Sequence, residues 1–175
     1  MIAQIENLFA GLEQKKRRLL GDLAAYSENR LHRQPAPDRW SMAMVVQHII
    51  IGEKGLRQSE EALRDNPVRR LLQPGKLFGV VMDILENDVP VDVPDPGLEP
   101  DNNTSFMELI RLWGRERKQL LALLETISED ETDEIMFSHP AAGPLDPIRA
   151  LRLAHAHFDT HRRQIDKLSA ELQAS

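Results

Sequence analysis

Three histidines lie within seven residues in the stretch RLAHAHFDTHRRQI (152–165), although the whole chain contains only six. Neutral imidazole nitrogens bind zinc, nickel, copper and iron, and imidazoles also act as acids and bases near neutral pH. His157 and His161 are four residues apart, so on a helix they lie about 40° apart and point the same way. His155 lies about 200° from His157, which predicts a place at the flank of the helix or in a subunit contact.

His48 belongs to another predicted helix, in the stretch VVQHIII (45–51). It shares a face with apolar residues, so it is predicted to point into the core, as His157 and His161 do. Side chains on facing helices hold metals in the cores of helical bundles, and three imidazole ligands leave coordination positions open for water or substrate. The alternative is that all three are core histidines satisfied by hydrogen bonds, since an unsatisfied buried polar group costs about 1–3 kcal/mol.

Two other histidines and one glutamine carry weaker signals. His139, in FSHPAAGPLDP (137–147), could reach the same site from a loop as an acid or base, or it could be a turn residue before proline. His32 falls at the end of the first predicted helix and is expected in solvent. Gln164 follows His161 by three residues and could orient that ligand, with an ordinary surface glutamine as the alternative.

Helical periodicity dominates the chain and predicts four long helices. They span about residues 2–31, 41–64, 105–127 and 147–172. Ser41 suits an N-cap, Ser105 forms a capping box with Glu108, and Pro147 suits a first-turn position. The β-branched residues after Ser41 favour a strand. The flanking helical pattern and the lack of a partner strand instead favour a helix that is deeply buried or lies partly in a subunit contact.

The connections are less regular than the helices. Residues 66–88 predict one or two short helices between proline and glycine breaks, and residues 89–103 predict a proline-rich, acidic surface loop. Residues 128–147 are predicted to be a loop with at most one acidic turn. With no credible strand pair, the fold class is all-α. We expect a four-helix bundle with short extra helices and a Pro-rich loop between helices 2 and 3, in one domain over residues 1–175.

Composition excludes several classes of protein. The absence of cysteine excludes disulfides, thiolate metal sites and cysteine nucleophiles. The net charge of −6 disfavours nucleic acid as a partner, and the basic run QKKRR (14–18) is interpreted as the solvated face of a helix. No window approaches the ~20 apolar residues of a membrane span, and the first residues lack the apolar run of a signal peptide. We therefore expect a soluble, cytoplasmic protein.

Several short motifs together resemble the DinB-like superfamily, which includes the YfiT-type metal-dependent hydrolases. The family pattern has a tryptophan–serine helix start followed by a histidine, as in Trp40, Ser41 and His48. It then has a His-Pro and a glycine before the last helix, as in HPAAG (139–143). It ends with two histidines four residues apart and a nearby Gln-Ile, as in HFDTHRRQI (157–165). The match covers nearly the whole chain and is poorest in the middle.

This resemblance implies a four-helix bundle, a divalent metal bound by His48, His157 and His161, and a homodimer. Zinc, nickel, iron and manganese all stay open as the metal, because imidazole ligands accept several. Members include thiol-dependent S-transferases, a thiol-dependent isomerase and hydrolases, so the small-molecule substrate is not specified. A metal-activated water would give hydrolysis, and a metal-bound low-molecular-weight thiol would give S-transfer. No catalytic residue beyond the ligands can be named.

Two hypotheses of other classes remain. A non-catalytic bundle would carry a structural metal or none and act through protein contacts, which the apolar helix after Ser41 would favour. A DNA-binding regulator has only the family name's link to DNA damage and the run QKKRR in its favour. The acidic net charge argues against it.

Overall fold

The structure is a computed structural model that describes residues 1–64, 66, 72, 73, 75–89 and 99–174. Its helices are α1 (Ala3–Leu23), α2 (Glu28–Leu31), α3 (Met42–Arg64), α4 (Phe78–Glu86), α5 (Phe106–Leu124) and α6 (Pro147–Ala174). A 3-10 turn covers Glu129–Glu131, and two short strands, β1 (Phe137–His139) and β2 (Gly143–Leu145), precede α6. With 68% of the residues helical, the all-α fold class is confirmed.

The four long helices form the predicted bundle. Helix α3 packs against α5 and α6, and α1 packs against the same two helices from the other side. Helix α4 lies on α6, while β1 packs on α3. Helices α3 and α6 are therefore direct neighbours, which brings the two histidine-bearing segments face to face.

The starts of the later helices follow the predicted capping chemistry. The Ser41 hydroxyl accepts a hydrogen bond from the Met44 amide at 3.2 Å. The Ser105 hydroxyl accepts one from the Glu108 amide at 3.3 Å, but the Glu108 carboxylate bonds Arg115 instead of returning to the Ser105 amide, so only half of the predicted capping box is present. Helix α6 begins at Pro147, as predicted. These caps satisfy backbone donors that the first turn of a helix leaves without a partner.

The first predicted helix is interrupted, and its continuation to Leu31 is wrong. Helix α1 ends at Leu23, where the Ala24 amide closes the last turn on the Leu20 carbonyl. Ser27 then adopts an extended backbone, and its side chain accepts a hydrogen bond from the Arg30 amide, which starts the separate helix α2. A serine can cap a new helix as readily as it can continue an old one, so periodicity alone misses this break.

The expectation that the chain contains no strand pair is also wrong. Phe137 pairs with Leu145, and His139 with Gly143, in an antiparallel hairpin. Gly143 closes it with a φ of 77°, a backbone conformation that glycine adopts without strain. Three-residue strands are too short for an alternating pattern to be visible in the sequence. The predicted acidic turn in this region is present as the 3-10 turn.

The first half of α3 is buried inside this chain. Of residues 42–50, only Gln47 is not buried. The helix predicted from conflicting propensities is therefore present, and its burial accounts for its apolar character without a subunit contact. Residues 90–98, which make up most of the predicted proline-rich loop, and residues 67–71 lie outside the described residues.

Within the part of the chain that the structure describes, no helix combines the length and apolarity needed to cross a bilayer.

Candidate metal centre

Helices α3 and α6 bring His48, His157 and His161 together. The Nε2 atom of His157 lies 3.2 Å from Nε2 of His48 and 3.0 Å from Nε2 of His161. One ligand atom from each of the three rings falls within 4.8 Å of the others. His48 is 8% exposed, and the other two histidines are partly buried. The three residues singled out in the sequence thus converge at one point between the two helices.

The nitrogen separations match those of ligands around one cation. Nitrogens about 2.0–2.1 Å from a zinc ion in tetrahedral geometry lie roughly 3.3–3.4 Å apart. Adjacent ligands of an octahedral ion with similar bond lengths lie roughly 2.9 Å apart. The two observed separations, 3.2 and 3.0 Å, fall in this range. Three imidazoles of this spacing fit a borderline divalent ion, and the group could hold one.

Gln164 orients one of the three rings. The His161 Nδ1 atom lies 2.8 Å from the Gln164 side-chain oxygen. An amide oxygen only accepts hydrogen bonds, so Nδ1 carries the proton and donates it. The neutral His161 ring therefore presents a lone pair at Nε2, which is the atom that faces His157. Of the two interpretations of Gln164, the structure favours the one in which it orients a ligand.

The environment keeps two of the imidazoles uncharged. Burial lowers the pKa of His157 well below its ordinary value, and the nearby imidazoles of His161, His48 and His139 lower it further. Burial, followed by the charge of His48, lowers the pKa of His161 to about 4, although the hydrogen bond to Gln164 acts in the opposite direction. Neutral imidazole is the form that binds a metal, so these two candidate ligands have the protonation state that metal binding requires at neutral pH.

Trp40 forms an aromatic wall beside the cluster. Its ring centroid lies 4.9 Å from that of His48 and 6.5 Å from that of His161. The sequence marked this tryptophan only as part of a helix start, and its place next to the candidate ligands was missed. Trp40 lies two residues before α3 begins, so helical spacing from His48 could not have placed its ring beside the cluster.

A buried charge cluster next to the site was also missed. The Glu53 carboxylate on α3 accepts hydrogen bonds from Trp113 Nε1 at 2.9 Å and from Arg117 Nε at 2.7 Å, both on α5. Arg117 Nη2 donates a further bond to Glu53 at 2.6 Å. The three side chains are at most 6% exposed. In a sequence, a charged residue such as Glu53 is normally predicted to be exposed. Here its hydrogen bonds connect α3 to α5 close to the histidines.

The remaining histidines lie elsewhere in the fold. His155 is on the flank of α6 and its Nε2 donates to the Leu8 carbonyl of α1 at 2.8 Å. The expectation that His32 lies in solvent is wrong. Its Nδ1 lies 3.0 Å from the Asn102 carbonyl oxygen, and its Nε2 lies 3.1 Å from the Glu28 carboxylate. The sequence could not predict that the loop before α5 would cover it.

His139 is a turn residue of the hairpin. Its Nδ1 accepts hydrogen bonds from the backbone amides of Ala141 at 3.2 Å and Ala142 at 3.1 Å. The proton of the neutral ring is then on Nε2. This bonding supports the turn alternative for His139, although a protonated His139 would lower the pKa of His157.

Comparison with protein families agrees with the geometry. A model of the DinB superfamily matches residues 12–165, which include all three clustered histidines. The chain belongs to the DinB superfamily. This confirms the resemblance found in the sequence motifs. A search among proteins with curated functions found no match. DinB membership and the three-histidine cluster together support a metal-binding helical fold.

Proposed function

We propose that this DinB superfamily member is a divalent-metal-dependent enzyme, with His48, His157 and His161 as the metal ligands. The observation that carries the proposal is the convergence of three imidazole nitrogens, two pairs of which lie 3.0 and 3.2 Å apart. An interpretation by hydrogen bonds alone explains the cluster less well. The single Nε2 atom of His157 faces two other ring nitrogens, and its one proton could be donated to only one of them. A divalent ion bound there would act as a Lewis acid and activate water or a thiol as the nucleophile.

The chain's own residues set up this site in defined ways. His157 and His161 stay neutral because they are buried, so they do not have to lose protons to bind an ion. Gln164 holds His161 in the tautomer that turns its Nε2 lone pair to the cluster. The Trp40 ring packs against His48 on one side of the cluster, with the ring centroids 4.9 Å apart. Zinc, nickel, iron and manganese are the candidate ions.

Two reaction types fit the site. Hydrolysis requires only water as the nucleophile, and S-transfer requires a thiol. The chain contains no cysteine, so a reacting sulfur would come from a low-molecular-weight thiol cosubstrate. We place the enzyme in the cytoplasm, where such thiols are kept reduced. The substrate is a small molecule, consistent with the acidic net charge of −6, which disfavours nucleic acid.

Metal titration tests the proposal directly. Trp40 lies against the cluster, so binding of paramagnetic Co²⁺ is expected to quench its fluorescence, with saturation at about one ion per chain. Elemental analysis of protein purified without a chelator measures the same stoichiometry. His48→Ala is expected to abolish both signals. Trp40→Phe is expected to remove the Trp40 part of the quenching, leaving only that of Trp113, while the stoichiometry stays unchanged. A protein that takes up none of Zn²⁺, Ni²⁺, Fe²⁺, Mn²⁺ or Co²⁺ would refute the proposal.

Screening the metal-loaded protein separates the two reaction types. Ester and amide panels without thiol test for hydrolysis, and the same protein with small thiols and electrophilic acceptors tests for S-transfer. Activity that persists in a metal-free His161→Ala variant would argue against a role for the ligand set. Activity that follows metal content across variants supports it.

The second candidate function is a non-catalytic bundle that acts through protein contacts. One observation favours it: Leu77 and Val80, at the start of α4, are 57% and 53% exposed. A second copy of the chain covering these residues would also give the homodimer that the family resemblance implies. Light scattering during size-exclusion chromatography, with Val80→Asp as the variant, tests this contact. A dimer that dissociates in the variant, together with silent activity screens, would favour this second function.

A further inference from the structure

Gly52 of α3 lies directly against the ring of His157. A β-carbon at position 52 would lie 3.1 Å from Cε1 of His157, 3.6 Å from Nδ1 and 3.9 Å from Nε2. A separation of 3.1 Å is shorter than ordinary van der Waals contact between carbon atoms, which is about 3.5–4.0 Å. The Cε1 edge of the His157 ring therefore occupies the space that the β-carbon of any other residue at position 52 would need.

We infer that Gly52 is a positioning residue for His157: the missing side chain lets the imidazole rest on the α3 backbone with Nε2 beside those of His48 and His161. This inference rests on the proposed function, since it assigns Gly52 a role in holding a metal ligand. The role is steric and involves no contact between Gly52 and the ion or the substrate.

The two ligands on α6 are held in different ways. His161 donates from Nδ1 to Gln164, the kind of outer hydrogen bond that usually orients a metal-binding histidine. Nδ1 of His157, by contrast, makes no hydrogen bond to any of the residues that the structure describes. The ring of His157 is instead limited by the surface of α3 at Gly52. Packing thus takes the place of the outer hydrogen bond at this ligand.

The α3 backbone cannot easily move away from an added methyl group. Glu53, the next residue, is bound to Trp113 and Arg117 of α5 by three hydrogen bonds of 2.6–2.9 Å. All three side chains are buried, so breaking these bonds would leave charged groups without partners. The imidazole of His157 would therefore take up the displacement, moving its Nε2 relative to the other two nitrogens.

Gly55 supplies a matched control on the same helix. It is also an interior helical glycine, three residues later, but among the described residues no atom beyond its own helical turns and chain neighbours lies within 4 Å of a β-carbon at position 55. Glycine to alanine at either position should favour the helix through backbone propensity. Only the change at position 52 should affect a ligand.

The main experiment compares Co²⁺ and Zn²⁺ affinity, measured by competition with a chromophoric chelator, in the wild type, Gly52→Ala and Gly55→Ala. We expect Gly52→Ala to bind both ions about tenfold more weakly, the lower end of the effect of losing an outer-sphere contact. Its Co²⁺ absorption bands should shift, since they report ligand geometry. Gly55→Ala should match the wild type in affinity and spectrum. Equal affinities and spectra for Gly52→Ala and the wild type would overturn the positioning role alone.

A thermal unfolding cycle without metal tests the contact independently. In a His157→Ala background the ring is gone, so Gly52→Ala should raise the Tm by roughly 2–4 °C through helix propensity. With His157 present, the same change should give a smaller rise or a fall. Equal rises in both backgrounds would overturn the inference. A wild-type protein that binds neither Co²⁺ nor Zn²⁺ would instead overturn the proposed function and the positioning role together.

Discussion

Helix α6 presents histidines to two neighbouring helices, and the two sides differ in what meets the imidazole nitrogens. Towards α1, His155 donates to the Leu8 carbonyl at 2.8 Å, and its Cε1 lies 3.0 Å from where a β-carbon of Gly11 would be. Towards α3, His157 also rests on a glycine, but its Nε2 faces the nitrogens of two other histidines. Both imidazoles pack against a glycine, but their Nε2 atoms meet different partners: a carbonyl oxygen for His155 and ring nitrogens for His157.

The comparison shows which property marks a candidate ligand. Burial lowers the pKa of His155 as it does that of His157, so a low pKa does not separate the two sides. The i,i+4 spacing singles out His157 and His161, but such pairs are common on helices, so spacing alone does not mark a metal ligand. The separating property is the partner: a carbonyl oxygen satisfies an N–H donor, whereas converging nitrogen lone pairs are satisfied together by a cation.

Alanine substitutions on the two sides should have opposite consequences, and this is the largest expected effect. His157→Ala removes the central nitrogen of the cluster and should weaken Zn²⁺ binding by more than about a hundredfold. His155→Ala should leave the affinity within about twofold of the wild type. It should lower the free energy of unfolding by about 1–3 kcal/mol through the lost hydrogen bond and the lost packing on α1.

Elemental analysis and denaturant unfolding measure these two outcomes on the same samples. His155→Gln, which can still donate a hydrogen bond, serves as the milder control on the α1 side. Loss of zinc in His155→Ala, at unchanged stability, would contradict the division between the two sides of α6.

Acid should affect metal binding less than it would at a site built from ordinary histidines. A pair of ligands with the ordinary pKa of about 6.5 would each be about one-tenth neutral at pH 5.5, and proton competition would weaken binding about a hundredfold. The pKa of His161 is about 4, so His161 stays neutral at that pH, and burial also holds the pKa of His157 well below its ordinary value. Between pH 7.5 and pH 5.5, Co²⁺ affinity should fall by no more than about tenfold.

The lowered pKa values of His157 and His161 also make the stability of the metal-free protein depend on pH. The unfolded chain takes up protons at these histidines near pH 6.5, before the folded chain does. Their contribution to stability is therefore complete above about pH 6.5 and is lost as the pH falls through the pKa of His161, about 4. Urea unfolding at several pH values, compared with a His157→Ala/His161→Ala variant, measures the slope. A variant with the wild-type slope would rule out this assignment of the pKa values.

The fold was predictable where patterns are long. Four amphipathic segments and the serine N-caps were enough to predict the bundle, and Pro147 predicted the start of α6. The break at Ser27 and the hairpin around Gly143 were not predictable, because each depends on a few residues whose local preference is weak until the neighbouring elements pack. Helix α3 is the intermediate case: its β-branched residues favoured a strand, and burial decided for the helix.

The convergence of the three candidate ligands was predictable, but the surroundings of the site were not. The spacing of His157 and His161, with the family motif around His48, identified the three residues that the structure brings together. The close approach of His157 to Gly52 and the salt-bridged carboxylate of Glu53 depend on how two helices are rotated against each other. A single sequence carries no signal for that rotation.

His139 is the hardest histidine to assign to a structural or a metal-binding role, because it shares a feature with His155 and a feature with the three clustered histidines. Its Nδ1 accepts two backbone hydrogen bonds in the hairpin turn, as a structural histidine would, and a protonated His139 would lower the pKa of His157. Asparagine carries its side-chain oxygen at the position of Nδ1 and often accepts the same bonds in turns. Alanine accepts none. If His139 is structural, His139→Asn should keep a Tm within about 1 °C of the wild type.

On the same hypothesis, His139→Ala should lose about 0.5–1.5 kcal/mol of stability, the usual net worth of such hydrogen bonds. Neither variant should change Co²⁺ affinity by more than about twofold, since the turn bonds lie outside the ligand set. Thermal unfolding and Co²⁺ titration of both variants separate the roles. An asparagine variant that keeps its Tm but loses Co²⁺ affinity would move His139 to the metal side of the comparison, because asparagine preserves the turn and removes only the Nε2–H group.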